Sequence, residues 1–198
     1  MQVAAIYDIH GSLPALEAVL QEIRQAEVDH LVVGGDVLPG PMPRETITCL
    51  LGLDIPVQFI QGNGDREVLA PTGAVPEQFR EAMRWNAEQL DPEHKRLLAS
   101  WPQTLRMEID GLGAVLFCHA TPRSDTEVFT RLTPEDRLLP VFEGLNVAVV
   151  VCGHTHMQFN RTIGSIRVVN AGSGDAVRGA WSLLAPTWAR CPVAANPL

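Results

Sequence analysis

Apolar residues fall into short, nearly continuous runs, the pattern of strands buried on both faces. Val3–Tyr7, Leu31–Val33 and Val57–Ile60 are three such runs in the first half. Between the first two, Leu13, Leu16, Val19, Leu20 and Ile23 recur at helical spacing, with Ser12 placed as an N-cap and Pro14 in the first turn. Residues 43–53 (PRETITCLLGL) suit a second helix. The resulting βαβαβ order predicts a mostly parallel sheet covered by helices.

The middle of the chain reads as helical. Phe79, Met83, Ala87 and Leu90 share one face, and Asp91-Pro92 restarts a shorter helix to about Ala99. The second half is strand-rich. Leu105–Ile109 and Ala114–Phe117 flank Asp110-Gly111-Leu112-Gly113, a hairpin signal, and Phe159–Ile163 and Ile166–Asn170 flank Gly164-Ser165, another. A helix is expected from Pro134 to about Phe142, a buried strand over Val147–Val151, and a last strand over Ala180–Leu184. Residues 1–185 are expected to form one domain, with the sheet half and the hairpin half facing each other as two layers. The tail 186–198, which carries three prolines and no period, is expected to be irregular.

Composition narrows the class. The 198 residues fit one domain, and 46% hydrophobic against 19% charged residues is an ordinary globular balance. The formal net charge of −8 excludes a broad basic face for duplex nucleic acid. It also sets a tension with any anionic substrate. Cys49, Cys118, Cys152 and Cys191 form no CxxC pair, which excludes a zinc ribbon or a thioredoxin-type motif. There is no membrane-length apolar run, and MQVAAIYDIHG lacks the basic and apolar regions of a secretory leader, so a cytoplasmic protein with reduced thiols and no membrane partner is expected. No heptad or interface stripe indicates an oligomeric state.

The chemistry sits where the apolar runs stop. Asp8-x-His10 follows the first, and residues i and i+2 of an extended segment point the same way. Asp36 follows Gly34-Gly35 after the second, and Gly62-Asn63-Gly64-Asp65 follows the third. His119 ends Val115–Cys118, and Gly153-His154-Thr155-His156 ends Val147–Cys152. Taken singly, each has a structural explanation as a turn or cap residue. Jointly, five strand ends present Asp, His or Asn, and ligand sites in open α/β sheets lie at the carboxyl ends of strands. Two Asp, one Asn and four His exceed the needs of one tetrahedral zinc, which argues against a mononuclear zinc hydrolase, and they suit two divalent ions sharing a carboxylate.

The order DxH, GD, GN, H, GHxH resembles the signature of the calcineurin-like metallophosphoesterases over about three-quarters of the chain, from Asp8 to His156. The short length is similar to that of the small bacterial and archaeal phosphodiesterases of that fold. The resemblance implies an α/β architecture, a four-layer α/β/β/α sandwich of two mixed β-sheets flanked by helices. It implies one metal on Asp8, His10, Asp36 and His156, a second on Asp36, Asn63, His119 and His154, and Asp36 as the bridge. Manganese is the leading ion, with iron, nickel and zinc as further candidates. The implied activity is hydrolysis of a small or nucleotide-like phosphate ester by a dimetal-bound hydroxide.

Two departures from the family pattern are visible. Many members carry a histidine after the Asn, as a general acid for the leaving group, where this chain has Gly64. General acid help is worth about 10²–10⁴-fold, so its loss weakens a phosphomonoesterase or protein phosphatase reading more than a phosphodiesterase reading. Asp65 is left as a candidate orienter of a proton-donating water, with Asn63 beside it, and equally as an N-cap for the segment that follows. The second departure is the C-terminus, where the family-like pattern thins after Val168-Val169-Asn170-Ala171-Gly172-Ser173 and a truncated or altered end is open. Arg44, Arg66 and Arg123 follow three of the motifs and are candidate phosphate holders, because a guanidinium grips two oxygens at once. The competing reading is a non-catalytic binding or scaffold module on the same fold, which Gly64 alone favours.

Overall fold

The computed structural model describes residues 1–71, 75–173 and 181–184. In chain order these form β1 (Val3–Ile6), α1 (Leu13–Gln25), β2 (His30–Val33), α2 (Pro43–Leu51), β3 (Val57–Phe59), α3 (Asn63–Leu69), α4 (Glu77–Gln89) and α5 (Pro92–Ser100). There follow β4 (Thr104–Ile109), β5 (Gly113–Cys118), α6 (Glu135–Phe142), β6 (Val149–Cys152), β7 (Phe159–Ile163), β8 (Ile166–Asn170) and β9 (Trp181–Leu184).

Two mixed sheets result. The first has the order β3-β2-β1-β9, parallel except for the antiparallel edge strand β9. The second has the order β4-β5-β6-β8-β7, in which β5, β6 and β8 run parallel and two hairpins close the edges. Both expected hairpins form, with tight connections at residues 110–112 and at Gly164-Ser165.

Strand alternation divides the core into three layers of side chains. Val3, Ala5, Tyr7 and Val32 of the first sheet meet Val115, Phe117, Val149 and Val151 of the second between the sheets. Ala4, Ile6, Leu31 and Val33 point the other way, onto Leu16, Leu20 and Ile23 of α1 and Ile47 and Leu50 of α2. Cys118, Val150, Cys152 and Val168 pack under Leu138, Val141 and Phe142 of α6. The fold is therefore the α/β/β/α sandwich expected. The Tyr7 hydroxyl crosses the central layer and donates to the Val151 carbonyl at 2.9 Å, which satisfies its buried oxygen and ties one sheet to the other.

The structure corrects two local expectations and adds a detail to a third. The Gly62–Gly64 segment is not a plain turn, because α3 begins inside it at Asn63. Ser12 occupies the N-cap of α1, but its side chain makes no capping bond. The apolar stripe of α4 is buried only at its C-terminal end. Met83 and Ala87 pack against the core and Leu90 is buried, while Phe79 stays 52% exposed. Expectations for the tail 186–198, and for Cys191 within it, lie outside the described residues.

Candidate metal centre

The parallel strands of both sheets deliver their carboxyl ends to one edge of the sandwich. Past β1 and β2 the loops run side by side. The Asp8 N–H donates to the Gly35 carbonyl at 3.1 Å, the His10 N–H to Asp36 at 3.0 Å and the Gly11 N–H to Val37 at 2.8 Å. From the second sheet, the Gly153 N–H donates to the His119 carbonyl at 2.8 Å.

The backbone turns sharply to aim these side chains. Asp8, His10, Asp36, His154 and His156 all have positive φ, between 48° and 68°. Left-handed backbone costs an L-residue about 1–2 kcal/mol, and such strain concentrates at functional sites. Among the described residues only Glu27 shares this conformation without glycine's freedom.

The seven residues singled out at the strand ends converge. Asp8, His10 and His156 place one potential ligand atom each within 4.8 Å of one another, and so do Asp36, His119 and His154. Asp36 Oδ2 lies 3.4 Å from His119 Nε2 and 3.9 Å from His10 Nε2, between the two groups. His10 and His156 approach at 3.1 Å through their Nε2 atoms. The outer atom of the Asn63 amide sits 3.1 Å from His119 Nε2 and 3.0 Å from His154 Nδ1.

Surrounding groups fix these ligands. His119 Nδ1 faces the Gly34 carbonyl at 3.0 Å, and donating there leaves the Nε2 lone pair for the centre. Asp8 Oδ2 accepts the His154 N–H at 2.8 Å, and Asp36 Oδ1 accepts the Gly64 N–H at 2.7 Å. Asp8 Oδ1 is buried and has no hydrogen-bond partner among the described residues. It stands 3.5 Å from His156 Nε2 and 3.8 Å from His119 Nε2. A carboxylate oxygen without water or donor is costly, and a cation between it and the imidazoles removes that cost. The donor set of oxygen and imidazole nitrogen therefore fits divalent metals.

Protonation reflects the same crowding. Burial alone pushes the His119 imidazole down, but Asp36 and Asp8 outweigh it and bring it up to about 9. Burial raises the Asp36 carboxyl, yet the charge and hydrogen bond of His119, the charge of His10 and the Gly64 N–H leave it lowered overall. His154 is lowered, by burial first and by the charge of His119 second.

Four expected site residues are placed otherwise. Asp65 is buried in the scaffold, where Oδ1 accepts the Leu38 N–H at 2.9 Å and Oδ2 the Gly62 N–H at 3.0 Å. Both oxygens are committed to backbone, so it caps α3 rather than orienting a water. Arg44 pairs with Asp91 at 3.4 Å, linking α2 to the start of α5. Arg123 pairs with Glu127 four residues on. Arg66 pairs with Asp125 at 2.8 Å and Glu67 at 2.7 Å, and of the three it alone shares a pocket wall with Asn63.

Gly64 has a steric explanation. A Cβ there would lie 2.3 Å from the Leu38 carbonyl oxygen and 3.0 Å from Asp36 Oδ1. No side chain fits without moving the Leu38–Pro39 backbone. Gly153 is constrained in the same way, with a Cβ meeting Asp8 Oδ2 and the Tyr7 ring at 2.6 Å.

Two further residues position the centre. Asn170 donates to the Gly153 carbonyl at 2.6 Å and accepts the Gly172 N–H at 2.9 Å, which holds the GHTH loop. Ser173 donates to the Asp8 carbonyl at 2.9 Å. The only sequence signal for either is a polar residue ending a buried apolar run, Ile166–Asn170, followed by small residues.

Comparison with known proteins agrees with this geometry. A family model described as the calcineurin-like phosphoesterase superfamily domain matches residues 1–184. An uncharacterized protein of Methanocaldococcus jannaschii is 30% identical over 166 residues, covering 79% of this chain, and the chain spans 63% of that relative's length. A metallophosphoesterase from Sphaerobacter thermophilus superposes with a TM-score of 0.69 at 25% identity, covering 94% of this chain and 84% of its own. A hypothetical protein of Pyrococcus horikoshii OT3 has the same fold, with a TM-score of 0.78 at 21% identity over 87% of this chain and 76% of its own.

Proposed function

Since the chain belongs to the calcineurin-like phosphoesterase superfamily, we propose that it is a metal-dependent phosphodiesterase hydrolysing a small phosphate ester, working with two divalent ions, manganese foremost. The observation that carries this reading is the buried, unpartnered Asp8 Oδ1 facing the His156 and His119 imidazoles. Asp8, His10 and His156 would hold one ion, and Asn63, His119 and His154 the other. Asp36, which lies between the two groups, would belong to both sets. When bound, such ions polarise the phosphoryl group and lower the pKa of water.

The chain's own residues prepare that chemistry. The bond from His119 Nδ1 to Gly34 fixes the ring so that Nε2 faces Asp36 and Asn63, where it would hold an ion. The His154 N–H orients Asp8, and the Gly64 N–H orients Asp36, so neither carboxylate must reorganise during turnover. The site of Gly64 admits no side chain to protonate a poor leaving group, which supports a diester with a good leaving group over a phosphomonoester. Among the described residues no helix is long and apolar enough to cross a membrane, and three described cysteines are free thiols. The thiols support a reducing cytoplasmic location.

The test is hydrolysis of bis(p-nitrophenyl) phosphate with Mn²⁺, Fe²⁺, Ni²⁺ or Zn²⁺, and with excess chelator. Turnover is expected with metal and none with chelator. Asn63→Ala and His119→Ala should each lose about 10²-fold or more, as each removes a group from the metal's surroundings. No turnover with any of the four ions would sink the proposal.

A further inference from the structure

Beside the candidate centre lies an open pocket of about 270 Å³. Asn63 and Arg66 of α3 lie on one side, and Val75, Pro76, Phe79 and Met83 supply the apolar surface. The pocket adjoins the centre, because Asn63, whose amide touches His119 and His154, is among the residues that line it. Its volume exceeds the roughly 150 Å³ in which an apolar cavity holds benzene.

Two features define what it accepts. The first is the placement of Phe79 and Met83, one helical turn apart on α4. Met83 is packed against the core, while Phe79, on the same stripe, lines the pocket and is 52% exposed. An aromatic face left open at the mouth of a polar centre offers stacking to a flat ring. The second is charge. Arg66 is held by Asp125 and Glu67, and Glu67 itself lines the pocket. The pocket wall thus carries no surplus of positive charge for a second phosphate or carboxylate.

We propose that this pocket receives a neutral aromatic substituent of the phosphate ester, with Phe79 and Met83 as the residues that select for it. This rests on the phosphoesterase reading above. The phosphoryl group faces the His119–Asp36 side, and the organic group leaves the metals across Asn63 to lie against α4.

The test is calorimetric binding of phenyl phosphate, methyl phosphate and inorganic phosphate to the Mn²⁺-loaded protein. Phenyl phosphate should bind about 10-fold more tightly than methyl phosphate, from burial of one ring face. Phe79→Gln should reduce that preference to within about 2-fold and leave the methyl phosphate affinity unchanged. Phe79 is half exposed, so this variant should keep the wild-type Tm. Met83→Gln should reduce the preference in the same direction. Equal binding of phenyl and methyl phosphate by the wild type, or a preference that survives Phe79→Gln, would overturn the pocket assignment while leaving the metal centre intact. Failure of inorganic phosphate to bind in the presence of Mn²⁺ would instead overturn the underlying reading, and this inference with it.

Discussion

Single residues at the centre are held in states that ordinary chain chemistry disfavours. His119 shows this most clearly. Its folded pKa of about 9 lies above the ordinary 6.5, so without metal its protonated form stabilises the fold fully below about pH 6.5. That contribution is lost as pH rises through about 9. A metal ligand must be the neutral imidazole. Metal uptake at pH 7.5 should therefore release about one proton from this site, and apparent affinity should rise with pH up to about 9. Calorimetry in two buffers of different ionisation enthalpy reads the proton count, and a buffer-independent heat would refute the linkage. The convergence of the seven candidate residues was legible in the sequence because their motifs follow the ends of apolar runs, and five such strand ends together are harder to explain as turns and caps than any one alone. The capping role of Asp65 was one of its two readings from sequence, but its bond to the Leu38 N–H was not legible, because that group is 27 positions away.

At the scale of the element, α3 turns the third strand end into part of the centre. Its short length of 7 residues gives it little stability of its own. Asp65 compensates by reaching back to the Gly62 N–H and across to the Leu38 N–H, which joins the helix start to the Asp36 loop. Asp65→Ala should leave two buried N–H groups unpaired and lower stability by about 2–4 kcal/mol, with loss of metal affinity because Asn63 is no longer held. Chemical denaturation and metal titration measure the two effects, and a variant as stable as wild type would show that the cap is not required. The helix escaped sequence reading since Asn-Gly is itself a turn signal, and the glycines belong there for closeness to Asp36 and Leu38. The hairpins were easier, because their strand pairs and turn residues are local. The α4 stripe was read correctly as a face, of which only the C-terminal part packs against the core. Periodicity reports which residues share a side of a helix, and it cannot say where the core stops.

For the whole molecule, charge and topology act together. A chain of formal net charge −8 repels a phosphate ester, and two divalent cations at the proposed centre would halve that charge at the one edge where both sheets deliver the candidate ligands. Inorganic phosphate should bind measurably with Mn²⁺ present and not after chelation, read by calorimetry at low ionic strength. Equal binding in both conditions would mean that arginines and backbone, rather than metals, hold the anion. The two-sheet sandwich was legible from the order of runs and turns. How closely the sheets approach depends on distant pairs such as Tyr7 with Val151, which no local pattern records.

The division of the centre between the two sheets also has a consequence in time. Asp8 and His156 stand 148 positions apart, and at about 5–20 residues per second a ribosome takes some 7–30 s to travel between them. Throughout that interval the first sheet's half of the centre lacks His156, and for the first 111 positions it lacks His119 as well. If the centre holds metal as proposed, its full ligand set exists only once the GHTH loop has emerged, and the folded pocket rather than the nascent chain would select the ions. Ribosome-arrested chains ending before Val149 should retain no manganese, whereas chains extended past Ser173 should. Retention by the shorter chains would show that half the centre suffices.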